Sequence, residues 1–185
     1  MRQISQDSEK TGKKMEKIFK ICFLGDEAVG KTSLIIRHVE KKFEESYKMT
    51  IGTDISAKLL EIDGQNIYLL IWDIGGQKKY KILRENYLKG AFGAILVYDC
   101  TNENTFNHIT DWVDEVKKFC GNIPLILLGN KIDLKDLKDI STEKGSEMAK
   151  EINSEFLETS AKTGENVNKA FEIIVEKIIK GNYKY

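Results

Sequence analysis

Residues 25–32 read Gly25-Asp26-Glu27-Ala28-Val29-Gly30-Lys31-Thr32. Two glycines, a lysine and a hydroxyl residue at this spacing suit phosphate chemistry. Backbone N–H groups around Gly30 can point at a phosphate seated on a helix N-terminus. The Lys31 ammonium reaches terminal phosphates as a point charge, and the Thr32 hydroxyl can coordinate magnesium. An apolar run over 18–24 precedes the loop and an amphipathic run over 31–41 follows it, the setting a phosphate loop needs. In isolation, a glycine-rich turn between strand and helix reads similarly.

A second set lies at Trp72-Asp73-Ile74-Gly75-Gly76-Gln77. Asp73, at a strand end, can hold magnesium through a water. Gly76 lets the backbone approach a terminal phosphate and donate its N–H, and Gln77 could orient an attacking water. Taken alone, Asp73 is equally a turn aspartate and Gly75-Gly76 a flexible turn. Thr50 could give its hydroxyl to the metal and its N–H to the terminal phosphate. By itself it reads as an ordinary residue opening a strand.

The third set selects a base. Asn130-Lys131-Ile132-Asp133 ends an apolar run. A carboxylate accepts two hydrogen bonds side by side, and guanine offers two adjacent donors, N1–H and the 2-amino group. Adenine would leave the Asp133 carboxylate desolvated and unpaired, a mismatch worth about 10⁴–10⁵ in discrimination at a site built on hydrogen bonds. The Lys131 stem can lie against the base and Asn130 can brace the loop. Ser160-Ala161-Lys162 offers a backbone N–H for the guanine oxygen and a second flat stem. A solvated helix cap and a polar turn are the plain alternatives for these two segments. Phe43 stacks edge-on near the base or packs a helix end.

Something must bring these sets together. Strands are expected over 18–24, 51–62, 66–72, 92–98, 124–128 and 155–158, and helices over 31–41, 79–88, 105–119, 142–152 and 167–180. Asp63-Gly64 between the second and third strands is a hairpin signal. The order implies an α/β fold with an open, mostly parallel sheet, covered on both faces and carrying one antiparallel strand. Ligands of such sheets bind beyond the carboxyl ends of the strands, which the three sets could all reach.

Composition narrows the class. The chain has 185 residues, enough for one domain with a sizeable core. Lysine plus arginine number 29 and so do aspartate plus glutamate, so no basic excess points to nucleic acid. Only Arg2, Arg37 and Arg84 are arginine. Cys22, Cys100 and Cys120 lack metal-site spacing, and two of them lie in or beside apolar runs, which suits a reduced, cytoplasmic protein. No apolar run is long enough to span a bilayer. Residues 1–16 read as a disordered polar tail, 17–181 as the folded domain and 182–185 as a short C-terminal end.

From about residue 17 to residue 180 these motifs resemble the Ras-like small GTPases, and within them the Rab branch. Phe43-x-x-x-Tyr47-x-x-Thr50-Ile51-Gly52-x-Asp54 is similar to the Rab first switch. Tyr87-Leu88-Lys89-Gly90-Ala91 and the stretch from Glu158 to Val167 also resemble Rab segments. The resemblance implies a P-loop NTPase three-layer fold with a six-stranded sheet and five helices, and a switch that binds GTP or GDP with Mg²⁺ and hydrolyses GTP slowly. It implies nucleotide contacts from Glu27, Ala28, Val29, Gly30, Lys31, Thr32, Ser33, Phe43, Tyr47, Thr50, Gly76, Asn130, Lys131, Asp133, Ser160, Ala161 and Lys162. It implies metal contacts from Thr32, Thr50 and Asp73, and catalytic roles for Gln77, Lys31 and Thr50. Thr50 and Gly76 would release on hydrolysis and loosen two loops. A monomer is expected, met by effectors, exchange factors and GTPase-activating proteins through those loops. Ile55, Trp72 and Tyr87 would form the effector patch, or pack against the second helix.

Departures from the pattern carry their own expectations. Glu27 stands where the family usually has a small residue near the terminal phosphate; there a carboxylate could repel phosphate or crowd an incoming arginine. That leaves a second reading, a GTP-binding interaction module with little or no hydrolysis. Gly75 replaces the usual alanine, as in the Arf-like branch. Lys78 and Lys79 replace acidic or arginine residues, and Ile55 an aromatic one. No arginine lies between Lys41 and Thr50. An ATP-dependent kinase-like protein is disfavoured by Asp133. No C-terminal cysteine is present for prenylation, and Arg2 stands where myristoylation needs glycine. Membrane attachment is then absent or indirect, or peripheral through a lipidated tail not included in this sequence.

Overall fold

A computed structural model describes residues 17–43, 49–62, 64–77 and 81–181. The expected Tyr47, Lys78 and Lys79 contributions lie outside the described residues, as do the two terminal segments.

Six strands form one sheet: β1 (Lys17–Leu24), β2 (Thr53–Ile62), β3 (Gln65–Ile74), β4 (Gly93–Asp99), β5 (Leu125–Asn130) and β6 (Glu155–Thr159). Their order is β2-β3-β1-β4-β5-β6. Only β2 runs antiparallel, pairing with β3. Ile62 pairs with Gln65, so the chain reverses within the two positions between them, where Gly64 has φ 68°. That left-handed backbone is the one a tight hairpin requires.

The strands alternate between two cores. In β1, Phe19, Ile21 and Phe23 join one apolar cluster while Cys22 and Leu24 join the other. β4 divides likewise, with Ile95 and Val97 on one side and Ala94, Leu96 and Tyr98 on the other. Every residue of β4 is buried, as expected of a parallel strand covered on both faces. Helices α1 (Lys31–Glu40) and α6 (Val167–Lys180) cover the first face. On α6, Ala170, Phe171, Ile174, Val175 and Ile178 recur at helical spacing and are buried. The second cluster is completed by α2 (Lys81–Leu88), α3 (Glu103–Asn107), α4 (Ile109–Cys120) and α5 (Thr142–Glu151).

The helix expected over 105–119 starts earlier and is divided. The Asn102 side chain accepts from the Asn104 N–H and caps α3 at Glu103. His108 then closes a tight turn onto Asn104 and Phe106, and α4 starts anew at Ile109. The two pieces together make the third of five helical units. The second strand opens at Thr53 rather than 51, because Gly52 takes φ 76° and its carbonyl receives Gly75 N–H at 2.9 Å. The third strand continues to Ile74, held by its partner Thr53, so Asp73 sits inside the strand. The parallel strands all point the same way, so the chain leaving β1, β3, β4, β5 and β6 emerges along one edge.

Candidate functional site

At that edge a cavity of about 440 Å³ opens. Its walls include Glu27, Ala28, Gly30, Lys31, Thr32, Ser33, Phe43, Thr50, Gly76, Gln77, Asn130, Lys131, Asp133, Ala161 and Lys162. Residues drawn from sequence positions more than a hundred apart thus share one space. Val29, Ser160 and Asp73 stand behind the wall and act on it from there.

The loop after β1 is built from left-handed backbone: φ is 138° at Gly25, 61° at Ala28 and 97° at Gly30. Such alternation turns successive N–H groups inward to form an anion nest. A side chain on Gly25 would strike the Val97 carbonyl, and one on Gly30 the Asn130 amide. Gly30 offers α1 no side-chain cap, and the first turn of α1 carries no acidic residue. Its N-terminal N–H groups therefore remain for an anion.

Lys31 is 6% exposed and folds along this loop, donating to the Gly25 carbonyl at 2.8 Å and the Asp26 carbonyl at 2.6 Å. Burial pushes its ammonium down to about 8, against the opposing charges of Asp73 and Asp26. A phosphate nearby would favour the charged form.

Thr32, Thr50 and Asp73 meet beneath the loop. The Thr32 hydroxyl donates to Asp73 Oδ2, lies 2.9 Å from the Thr50 hydroxyl, and Thr50 donates to the same Oδ2 at 3.2 Å. Asp73 is 3% exposed, and its Oδ1 has no partner. Burial raises its carboxyl above the ordinary value, while the Thr32 bond, the Lys31 charge and the Thr50 bond pull it back. An orphaned carboxylate oxygen in the interior is costly unless a cation or its water takes it up. Among the described residues no group of three His, Cys, Asp or Glu could hold a metal. One carboxylate and two hydroxyls instead suit Mg²⁺, which keeps waters and takes its other ligands from substrate phosphates.

Gly76 lies flat on the phosphate loop, where a Cβ would strike the backbone of Gly25, Asp26 and Glu27. The Gln77 side chain meets the Met49 sulfur. Behind them Arg84, 3% exposed, donates to the Gly76 and Gln77 carbonyls at 3.4 and 2.9 Å and grips Glu115 with bonds of 2.9 and 3.0 Å. Its guanidinium stacks 4.2 Å over Trp112. The Trp112 indole and His108 reach Asp26, at 2.9 and 2.6 Å.

The base end is braced by Asn130, which is 1% exposed. Its amide nitrogen donates to the Val29 carbonyl at 2.9 Å, and its oxygen accepts from Ala161 N–H at 3.2 Å and Thr159 at 3.3 Å. Within the Ser160-Ala161-Lys162 segment expected to offer an N–H to guanine, the Ala161 N–H is engaged by Asn130. Lys131 has φ 73° and its ammonium lies 2.6 Å from Asp99. The Ser160 hydroxyl donates to Asp133 at 2.6 Å, which fixes the carboxylate at the cavity rim. Three contributors escaped the sequence reading: Arg37, Asp99 and the Arg84–Glu115 pair. Each acts across a wide sequence separation, so no local spacing signals them.

The expected surface patch divides. Ile55 is 50% exposed, while Trp72 and Tyr87 pack against the second core with ring centroids 6.4 Å apart.

A match to the Ras family model spans residues 20–180. The chain belongs to the Ras family. Ras-related protein RABA5b of Arabidopsis thaliana is 40% identical over 164 residues, covering 88% of this chain and 76% of the relative. This Ras-family chain is accordingly a Rab-like small GTPase, a switch that binds GTP or GDP with Mg²⁺, converts GTP to GDP and phosphate, and meets regulators and effectors. No helix among the described residues is long and apolar enough to cross a membrane.

Proposed function

We propose that this GTPase is a slow timer whose state is read at Thr50 and Gly76, and which needs a partner to hydrolyse GTP at a useful rate. The observation that carries this is the seating of both residues on the phosphate loop, from two separate segments, through Thr32 and Asp73 on one side and bare backbone on the other. In this reading the residues lining the cavity hold the nucleotide, with Thr32, Thr50 and Asp73 holding Mg²⁺. Lys31 neutralises phosphate charge, Asp133 selects guanine, and Gln77 aligns water on leaving Met49.

Slowness follows from the arginines. Arg37 and Arg84 are committed to backbone carbonyls and to Glu115, so neither is spare to stabilise transferring charge. Ras itself hydrolyses GTP at roughly 10⁻⁴ s⁻¹ unaided and about 10⁵-fold faster with an arginine supplied in trans. Single-turnover hydrolysis of loaded GTP tests the reading. Unaided rates above about 10⁻² s⁻¹ would refute it. Gln77→Leu should keep GTP binding and lose most turnover.

A second reading rests on Glu27, which lines the same cavity as Gly76 and Gln77. Its carboxylate would hold hydrolysis near zero even with a partner, leaving a GTP-dependent interaction module. Glu27→Gly restoring turnover many-fold would favour it. We place the protein as a monomer in the cytoplasm, in membrane trafficking or signalling as the Rab likeness suggests. The free cysteines fit a reducing compartment, with burial pushing Cys22 and Cys100 up to about 12.

A further inference from the structure

Arg37 lies on α1 and reaches the same loop that Asn130 braces. Its Nε donates to the Ala161 carbonyl at 2.8 Å and its Nη2 to the Lys162 carbonyl. Nε and Nη2 form one edge of the guanidinium fork, so a single planar group holds two successive carbonyls, a geometry lysine cannot reproduce. Nη1 reaches the Lys41 carbonyl at 3.4 Å, where α1 ends in left-handed backbone, and the guanidinium lies 5.9 Å from the Phe43 ring. One cation therefore joins the base loop, the end of α1 and the start of the segment leading to Thr50.

The peptide unit is planar and trans, so fixing a carbonyl also fixes the N–H that follows it. With the Ala161 carbonyl held by Arg37, the Lys162 N–H is turned away from α1. With the Lys162 carbonyl held, the Thr163 N–H meets the Ser160 hydroxyl at 3.0 Å, and that hydroxyl in turn holds Asp133. Asn130 pins the same loop through the Ala161 N–H. Removing Arg37 frees one side of the loop and leaves two carbonyls without their charged donor.

We propose that Arg37 is a positioning residue that sets how long guanine nucleotide stays bound, acting through the Ala161 and Lys162 carbonyls. This rests on the reading of the cavity as the guanine site. Arg37 touches neither the phosphate loop nor Gln77, so release changes far more than the hydrolytic step. A base lacking the 2-amino group still packs against this loop, so its diphosphate is also released faster, though the Ser160 link to Asp133 makes the effect on guanine at least as large.

The test is release of fluorescently labelled GDP and IDP from the full chain with Mg²⁺, alongside single-turnover hydrolysis of preloaded GTP. Arg37→Ala should speed release of both diphosphates about ten- to a hundredfold, as loss of charge-assisted hydrogen bonds predicts. Arg37→Lys should fall between, and it carries the test should Arg37→Ala fail to fold. Unchanged release from Arg37→Lys and Arg37→Ala, with the wild type holding GDP, overturns the proposal alone. An equal change in release and hydrolysis also overturns it, since that marks general loosening. A wild type that holds no GDP overturns the site reading itself.

Discussion

His38 should make the folded protein sensitive to mild acid. The residue is 5% exposed on α1, with its ring stacked on Phe171 at 3.6 Å and 6°. Nδ1 lies 2.8 Å from the Asn168 amide oxygen, and that acceptor requires Nδ1 to carry the hydrogen. Nε2 is buried with no partner, so a second proton would arrive where nothing accepts it. Lys58, whose ammonium sits 2.7 Å from the His38 carbonyl, adds a repelling charge. Burial first, and Lys58 after it, lower the imidazole to about 4, with the Asn168 bond opposing. The unfolded chain therefore binds this proton more tightly than the folded one. Stability is complete above the unfolded value of 6.5 and is lost as pH falls toward about 4. Between about pH 7.5 and about pH 5 those two values amount to about 2 kcal/mol. For a chain of this size that is about 4–8 °C in Tm. His38→Phe keeps a stacked ring and cannot titrate, while Asn168, on an exposed position, turns to water. Thermal unfolding of both proteins with saturating GDP and Mg²⁺ at the two pH values isolates the effect, because other titrating groups cancel in the difference. The wild type should lose about 4–8 °C more than His38→Phe on acidification. Parallel losses in the two proteins would refute the reasoning.

Two further expectations concern buried polar contacts. Asn130→Ala strips partners from the Val29 carbonyl, the Ala161 N–H and the Thr159 hydroxyl; urea unfolding should show a loss of about 2–4 kcal/mol, and a loss below about 1 would contradict this account. Arg84→Gln removes both bonds that Arg84 Nη1 makes to the Glu115 carboxylate, in a pair whose side chains are 4% and 13% exposed, and should cost about 3–5 kcal/mol. Adding Glu115→Gln should recover a large part of that loss, and strictly additive losses in the double variant would show the pair is not coupled.

Much of the fold was readable because its signals are local. The buried apolar run of β4, the 3.6-residue spacing along α6 and the hairpin turn before Gln65 each announce their element within a few residues. The helix expected over 105–119, which starts at Glu103 and is divided at His108, shows the limit. Its apolar spacing was real, but Asn102 outside the expected bounds set the start, and the turn at His108 broke the run. At the cavity, Gly30, Lys31, Thr32 and Asp133 stand out in the sequence because the phosphate and guanine roles proposed for them call for particular residue types at close spacing. Arg37, Asp99 and Arg84 do not, since a guanidinium bound to carbonyls or a carboxylate paired with a lysine uses residue types that any exposed surface also carries.

Residue types at close spacing supply the chemistry expected here: glycines, a lysine and a hydroxyl that suit phosphate, hydroxyls and a carboxylate that suit a hard cation, and a carboxylate that suits guanine. How those groups are held is a matter of packing. It brings Thr50 onto Thr32 and Gly76 onto the loop after β1, buries Asp73 Oδ1 without a partner, turns the Gln77 side chain toward Met49, and ties Arg37 to the Ala161 carbonyl. Residue type states what an atom can donate or accept. Distance and burial, which arise from packing segments far apart in the chain, decide which of those bonds is made.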